Sequence, residues 1–186
     1  LTEANKVLTI EKITPQQASE ARDIKAKSLF ETGRFDDALL EFKAITKTAK
    51  NVTGAEAYYY IGKAQFNKRD YKEVEKTVAK LIGYEYSNDD WNNKGMLLLA
   101  DAYMAKGDDA DAQVILESLI ENKPKQEYID EANKRLTELR AKLQAAEAAR
   151  LEAGNKEMKV EFNNQGKQEE DLFDKMYDDL EKQKQA

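Results

Sequence analysis

The sequence predicts an all-α fold, a superhelix or solenoid of helical hairpins that ends in a capping helix. Three stretches share a turn, a polar pair and a helix: FETGRFDDALLEF, FNKRDYKEVEKTV and MAKGDDADAQVIL. Only 2 prolines and 8 glycines interrupt the 186 residues, and helix formers such as Ala, Leu, Glu and Lys dominate, which favours long helices over a turn-rich β fold. The units recur at 36 and 38 residues, and a repeat of this length is typical of a solenoid.

The repeat is defined by four sets of equivalent residues, one residue from each unit. The sets are Ala26, Gly62 and Ala100; Gly33, Arg69 and Gly107; Ala38, Val74 and Ala112; and Phe42, Val78 and Leu116. A small residue lets two helices approach closely, and larger ones three and four positions away fill the seam. The residue between the helices needs a left-handed backbone, which explains why Gly33 and Gly107 occupy this position in two of the units. We expect Arg69, in the second unit, to adopt the same positive φ.

Helix starts are marked by capping signals. Thr14 to Gln17, with Pro15 between them, and Thr53 to Glu56 have the spacing of capping boxes. Each second helix opens with acidic residues, as the helix dipole favours. These residues are Asp36, Asp70 and Asp108.

The repeated units resemble the tetratricopeptide repeat, with its pattern W-x2-L-G-x2-Y, then A-x3-F, then P. The third unit fits best, with Met96, Leu99, Ala100, Tyr103, Ala112, Leu116 and Pro124. The resemblance implies a scaffold that organises other proteins, and its nearest look-alikes are bacterial cell-envelope proteins. We therefore lean towards a periplasmic location, with the cytoplasm as the alternative, although the sequence leaves the compartment undetermined.

The pattern divides the chain into four regions. Residues 1–14, with the stripe Val7, Leu8, Ile10 and Ile13, are predicted to be the second helix of a preceding repeat, so that the chain would be the C-terminal fragment of a longer protein. Residues 15–125 are predicted to form three helix pairs. Residues 126–153 carry the narrow stripe Tyr128, Ala132, Leu136, Leu139 and Leu143 and are predicted to form the capping helix, because a terminal repeat needs a solvated outer face.

Residues 154–186 are predicted to form a tail. The alternation of Met158, Val160 and Phe162 suggests a short extended piece, followed by an amphipathic helix. One apolar stripe on that helix is expected to dock on a repeat surface of its own chain or of a neighbour, which makes a homodimer through the tail a further expectation. The docking stripe is Leu172, Phe173, Met176, Tyr177 and Leu180.

Composition excludes several function classes. With no cysteine and no histidine, thiolate chemistry, the usual zinc sites and imidazole catalysis are excluded, and we expect no enzyme, no metal and no cofactor. The net charge of -6 argues against a general nucleic-acid binder. The most apolar stretch, GMLLLADAYMA, is too short to cross a bilayer, so no direct membrane insertion is expected.

The resemblance places a concave groove along the first helices of the pairs. The partner-binding residues it implies are Asp23, Lys27, Phe30, Tyr59, Lys63, Phe66, Leu97, Asp101 and Met104. Aromatic and methionine side chains beside single charges suit a peptide or a partner helix, so the predicted function is a non-enzymatic protein-interaction scaffold. Two alternatives stay open: the nine residues only pack against neighbouring helices, or the protein is a structural spacer or self-association module whose groove is covered by its own C-terminal helix.

Overall fold

A computed structural model describes residues 2–9 and 13–184, apart from the side chains at positions 3, 170, 173 and 177–184. These described residues form eight helices and no strand. The helices are α1 Thr2–Leu8, α2 Pro15–Glu31, α3 Phe35–Thr48, α4 Val52–Asn67, α5 Tyr71–Ile82, α6 Asp89–Lys106, α7 Asp109–Glu121 and α8 Gln126–Lys184. The all-α prediction is confirmed.

The chain divides into two compact units, Leu1–Leu139 and Arg140–Ala186. In the first unit each helix packs against the next one along the chain from α1 to α7, and the first helices α4 and α6 also touch directly. Three apolar clusters hold this unit together, one centred on α2 to α4, one on α5 and α6, and one on α6, α7 and the start of α8. The second unit consists of the remainder of α8.

The three turns inside the helix pairs have one geometry. Gly33, Arg69 and Gly107 have φ of 74°, 61° and 91°, and each is followed by an N–H that reaches back five residues, as from Asp70 to the Gln65 carbonyl at 2.9 Å. This is the arrangement of a Schellman motif, in which a left-handed residue lets the last helical carbonyls find donors. The positive φ expected for Arg69 is confirmed, and it is a conformation that costs a non-glycine residue roughly 1 kcal/mol.

The small residues of the repeat are all buried, as predicted, and Gly62 meets both its pair partner α5 and the next first helix α6. Ala26 and Ala100 are fully buried, whereas a Cβ added to Gly62 would lie 2.9 Å from Leu98 Cδ2 on α6 and 3.9 Å from Thr77 Cγ2 on α5. Gly62 therefore sets the approach of two successive first helices, α4 and α6. The pattern could not distinguish these two neighbours, because both meet the same face of α4.

Two helix-start predictions have different outcomes. Thr14 caps α2, and both hydrogen bonds of the capping box with Gln17 are present. The box predicted at Thr53 is wrong, because α4 begins at Val52 and its cap is Asn51, whose side chain accepts from the Thr53 N–H at 3.0 Å. Asparagine is at least as good a cap as threonine, and it lies two residues earlier in the chain.

The end of the first region also differs from the prediction. Helix α1 ends at Leu8, and Ile13 lies outside any helix, because Pro15 begins α2 and biases the residues before it towards extended backbone. Ile10 lies outside the described residues. The idea that α1 is the second helix of a preceding repeat stays a prediction.

The extended piece predicted at Met158 to Phe162 is wrong. Helix α8 continues through Gly154 and Asn155 to Lys184, and the side chains of Met158, Val160 and Phe162 are exposed on it. Three alternating apolar residues specify a strand only where a sheet offers a partner, whereas the surrounding Lys, Glu and Gln residues favour helix locally. The predicted stripe from Tyr128 to Leu139 is buried, whereas Leu143 is exposed.

The turn at Arg69 can be tested with Arg69→Gly. Glycine removes the strain of the left-handed backbone, an effect that offsets its greater freedom in the unfolded chain, so we expect an equal or higher melting temperature. Asn122→Gly is the matched control, because Asn122 is a C-cap residue with an ordinary φ of -70°, and it should lose roughly 0.5 to 1 kcal/mol. Thermal unfolding of both variants measures the difference, and a larger loss at Arg69 would contradict the assignment.

The buried crossing at Ala100 can be tested with Ala100→Leu. Ala100 has no exposed surface and belongs to the cluster that contains Leu97 and Leu116, so overpacking should lower the free energy of unfolding by roughly 1 to 3 kcal/mol. Ala105→Leu, an exposed position on the same helix, should change it by less than about 0.5 kcal/mol. Denaturant unfolding would disprove the crossing if the two variants behaved alike.

Candidate interaction surface

The surface predicted from the groove pattern follows the first helices of successive pairs. Helix α2 carries Asp23, Lys27 and Phe30, α4 carries Tyr59, Lys63 and Phe66, and α6 carries Leu97, Asp101 and Met104. Ion pairs and ring contacts between neighbouring helices join these rows into one surface.

Lys27 links α2 to α4 through two carboxylates. Its Nζ lies 2.8 Å from Asp23 Oδ2 and 2.8 Å from Glu56 Oε1, and also 5.7 Å from the centre of the Tyr60 ring. Burial alone would lower the pKa of Lys27, but its hydrogen bonds to Asp23 and Glu56 outweigh this effect and raise the pKa. This end of the surface is therefore a compensated charge cluster in which the lysine stays protonated.

Lys63, near the middle of the surface, is surrounded by aromatic rings. Its Nζ lies 5.4 Å from the centre of the Phe30 ring, 5.8 Å from that of Tyr59 and 6.0 Å from that of Tyr60. Within the described part of the chain, no carboxylate forms an ion pair with it. Ring faces attract a cation but leave its N–H donors available, so Lys63 can still bind an acceptor.

The rings around Lys63 are held in place by one another. Tyr60 meets Phe30 edge-on at 5.4 Å and stacks on Phe42 at 5.1 Å, and Tyr59 contacts Trp91 of α6 at 5.5 Å. Lys94 Nζ lies 4.3 Å from the centre of the Trp91 ring. Burial, then the neighbouring Tyr60 and Asp101, raise the pKa of Tyr59.

The far end of the surface is closed by an arginine of α8. Arg135 binds Asp101 through both carboxylate oxygens, at 2.7 and 3.1 Å, and its Nη1 lies 2.6 Å from Glu131 Oε2. The hydrogen bond to Asp101 is the main reason why the pKa of Arg135 is raised. The charge of Asp101 is therefore already matched within the chain.

Several predicted groove residues are involved in internal packing. Phe30 and Leu97 are only 9% and 8% exposed and belong to the apolar clusters, and Phe66 packs on Tyr71 with ring centres 5.6 Å apart. Met104 is half-buried. That the nine residues bind a partner stays a prediction. Among them, Lys63 lies close to three aromatic rings and Tyr59 to two.

The pattern missed four residues that complete this surface: Glu56, Tyr60, Lys94 and Arg135. Arg135 follows Asp101 by 34 residues, whereas the units of this chain recur at 36 and 38 residues, so the repeat register did not indicate it. In the sequence Tyr60 stands out only as part of a run of three tyrosines, and Glu56 only as the end of a capping signal. The contact between Trp91 and Tyr59 joins two pairs, as packing between repeats requires.

The tail stripe is described only in part. Leu172 and Met176 are exposed on α8, and the side chains of Phe173, Tyr177 and Leu180 lie outside the described set. Docking of this stripe on a repeat surface stays a prediction.

Metal-binding and membrane-spanning features are both missing from the described residues. Among residues 2–9 and 13–184, no three His, Cys, Asp or Glu side chains are grouped as a metal site requires. The described helices include none with the length and hydropathy needed to span a bilayer.

The geometry defines a class of protein: an all-α repeat of stacked helical hairpins whose first helices lie side by side and whose turns share one left-handed residue. Residues 94–125, which span most of α6 and all of α7, match the family model of the tetratricopeptide repeat. This match supports the relationship to the tetratricopeptide repeat that the sequence predicted. No curated protein sequence matches the chain significantly.

Tyr128 gives this unit a pH dependence that can be measured. Burial, followed by the charge of Asp90, raises the pKa of Tyr128 to about 12, above the ordinary value of about 10. The folded state therefore holds this proton more tightly than the unfolded chain, a stabilisation that is complete below about pH 10 and is lost as the pH rises towards 12.

We expect Tyr128→Phe to reduce the loss of stability between about pH 10 and pH 12, because the variant has no phenolic proton to release. Denaturant unfolding at several pH values measures this slope. Tyr86→Phe, at an exposed position in the α5–α6 connection, is the control and should keep the slope of the parent protein. Equal slopes for all three proteins would contradict the assignment of the pH effect to Tyr128.

Proposed function

We propose that this protein is a non-enzymatic scaffold that binds a peptide or a partner helix along the first-helix surface, with Lys63 as the central contact. The relation to tetratricopeptide repeats supports a protein partner. The observation that carries the proposal is the Lys63 ammonium group, which lies near three aromatic rings and forms no ion pair with a described carboxylate.

The charges on either side of Lys63 support a defined partner chemistry. Lys27 is matched by Asp23 and Glu56 at one end, and Asp101 is matched by Arg135 at the other. A partner that presents a carboxylate to Lys63 would gain a charge-assisted hydrogen bond. Apolar residues beside that carboxylate would contact the rings of Tyr59 and Trp91, which offer a large apolar contact area.

A second candidate is self-association in which the C-terminal helix covers this surface. Leu172 and Met176 are exposed, and the acidic residues Glu169 and Asp171 precede them in the sequence. An acidic helix with an apolar stripe has the same chemistry as the partner described above, so the same surface would accept it. In this case the tail would compete with any added peptide.

The proposal can be tested by selecting peptides from a random displayed library on the full-length protein. Binding can be measured by calorimetry and by the fluorescence of Trp91, the one tryptophan in the chain. We expect selected peptides to carry an acidic residue beside apolar ones. Lys63→Met should weaken their binding roughly tenfold, since a hydrogen bond to a charged group contributes about 1.5 kcal/mol.

Lys76→Met is the matched control for this experiment. Lys76 lies on α5, pairs with Glu73 at 2.5 Å and is exposed, so its loss should leave peptide affinity unchanged. Equal weakening by both substitutions, or peptides with no acidic preference, would contradict the role of Lys63. If Met176→Asp raises peptide affinity in the full chain, the tail occupies the surface, and if affinity is unchanged the tail does not compete.

A further inference from the structure

The part of α8 beyond Leu139 exposes large apolar side chains along one side. Leu151, Met158, Phe162, Leu172 and Met176 are all more than half exposed, and Phe162 reaches 77%. At 3.6 residues per turn these five positions fall within roughly 80° of the helix circumference, whereas Val160 points to the opposite side. A helix with so narrow an apolar stripe is stabilised when a second helix covers it.

The stripe has the spacing of a coiled coil. Positions 151, 158, 165 and 172 recur every seven residues, and positions 155, 162, 169 and 176 form a second series offset by four. Together they alternate steps of four and three, which is the a and d pattern of a two-helix seam. This seam could be seen only once α8 was found to be continuous, because a strand at Met158 to Phe162 would have broken the register.

Polar and apolar residues along the seam are arranged symmetrically about Lys167. Met158 and Met176 are equally far from it on either side, as are Phe162 and Leu172, and Gln165 and Glu169. If a second copy of the helix ran antiparallel and crossed at Lys167, methionine would meet methionine, phenylalanine would meet leucine, and glutamine would meet glutamate. Every apolar residue of the seam between positions 158 and 176 would then have an apolar partner.

We infer that α8 forms an antiparallel coiled coil with the α8 helix of a second copy of this chain, centred on Lys167. Charges beside the seam agree with this orientation, because Glu161 lies on the edge that would face Lys175 of the other copy, and the pair occurs twice by symmetry. Gly166 lies beside the centre of this pairing and, having no side chain, adds no bulk between the two helices there.

Other pairings of the same two helices are less favourable. A parallel pair in register would place Glu169 against the same carboxylate of its partner, and like charges at a seam repel. Shifting the antiparallel pair by one heptad in either direction would place Glu169 opposite an apolar side chain, Met158 or Leu172. Burying a carboxylate against an apolar group carries a desolvation cost, so the pairing centred on Lys167, which matches the seam from Met158 to Met176, is favoured.

The inference does not rest on peptide binding, because it uses no residue of the first-helix surface, and it competes with the second candidate, which needs Leu172 and Met176 on that surface. A pair held by the tails alone requires no contact with Tyr59 or Lys63. A tail docked in the surface of the other copy would instead need those residues.

Cysteine crosslinking tests the orientation directly, since the natural chain contains no cysteine. Full-length Met158→Cys and Met176→Cys proteins are oxidised separately and as a mixture. We expect the mixed disulfide to be the main crosslinked product, with little homodisulfide from either variant alone. A mixture of Val160→Cys with Met176→Cys should give little product, because Val160 lies on the opposite side of the helix.

Light scattering then tests whether the seam carries the association. Phe162→Asp should abolish dimers, whereas Val160→Asp, an equally drastic change at an exposed position on the same turn, should leave them intact. Homodisulfides from Met158→Cys alone would indicate parallel pairing and would overturn the inference. A monomeric parent protein would also overturn it, as would dimers that survive Phe162→Asp but are lost with Lys63→Met.

Discussion

The first unit of this protein depends on how closely its helices approach one another. Ala26 and Ala100 have no exposed surface, and a single methyl group on Gly62 would come within 2.9 Å of Leu98. The left-handed turns at Gly33, Arg69 and Gly107 fix the geometry of each pair. Because packed interiors leave no space for an extra methylene, these few positions determine the register in which all later side chains meet.

The interaction surface follows from this register. Once α4 and α6 are close, Tyr59 reaches Trp91, and once α2 and α4 are aligned, Phe30, Tyr60 and Lys63 share one site. No single helix contains this arrangement, since these contacts join residues from different pairs. The surface is thus a product of stacking, and Lys63, which has no ion pair to a described carboxylate, stands where rings from neighbouring helices converge.

The sequence predicted the fold well because the repeat appears in it directly. The turn glycines, the small residues at the crossings and the positive φ of Arg69 could all be inferred from equivalent positions in three units. The pairing partners could not, because a periodic pattern identifies the buried face of a helix but not which neighbour covers it. For this reason the pattern did not show that Gly62 also meets α6, and it missed Arg135, which lies in α8, where the repeat is weak.

The error at Met158 to Phe162 has a different physical origin. Alternating apolar residues describe a strand only if a sheet satisfies the backbone, whereas in a chain rich in Lys, Glu and Gln the local hydrogen bonds of a helix are always available. In the first unit burial decides the structure, so periodicity predicts it well. In the second unit no described side chain is fully buried, so helix propensity decides the structure instead. The apolar residues therefore stay exposed along one side of α8, where the α8 helix of a second copy, running antiparallel, can cover them.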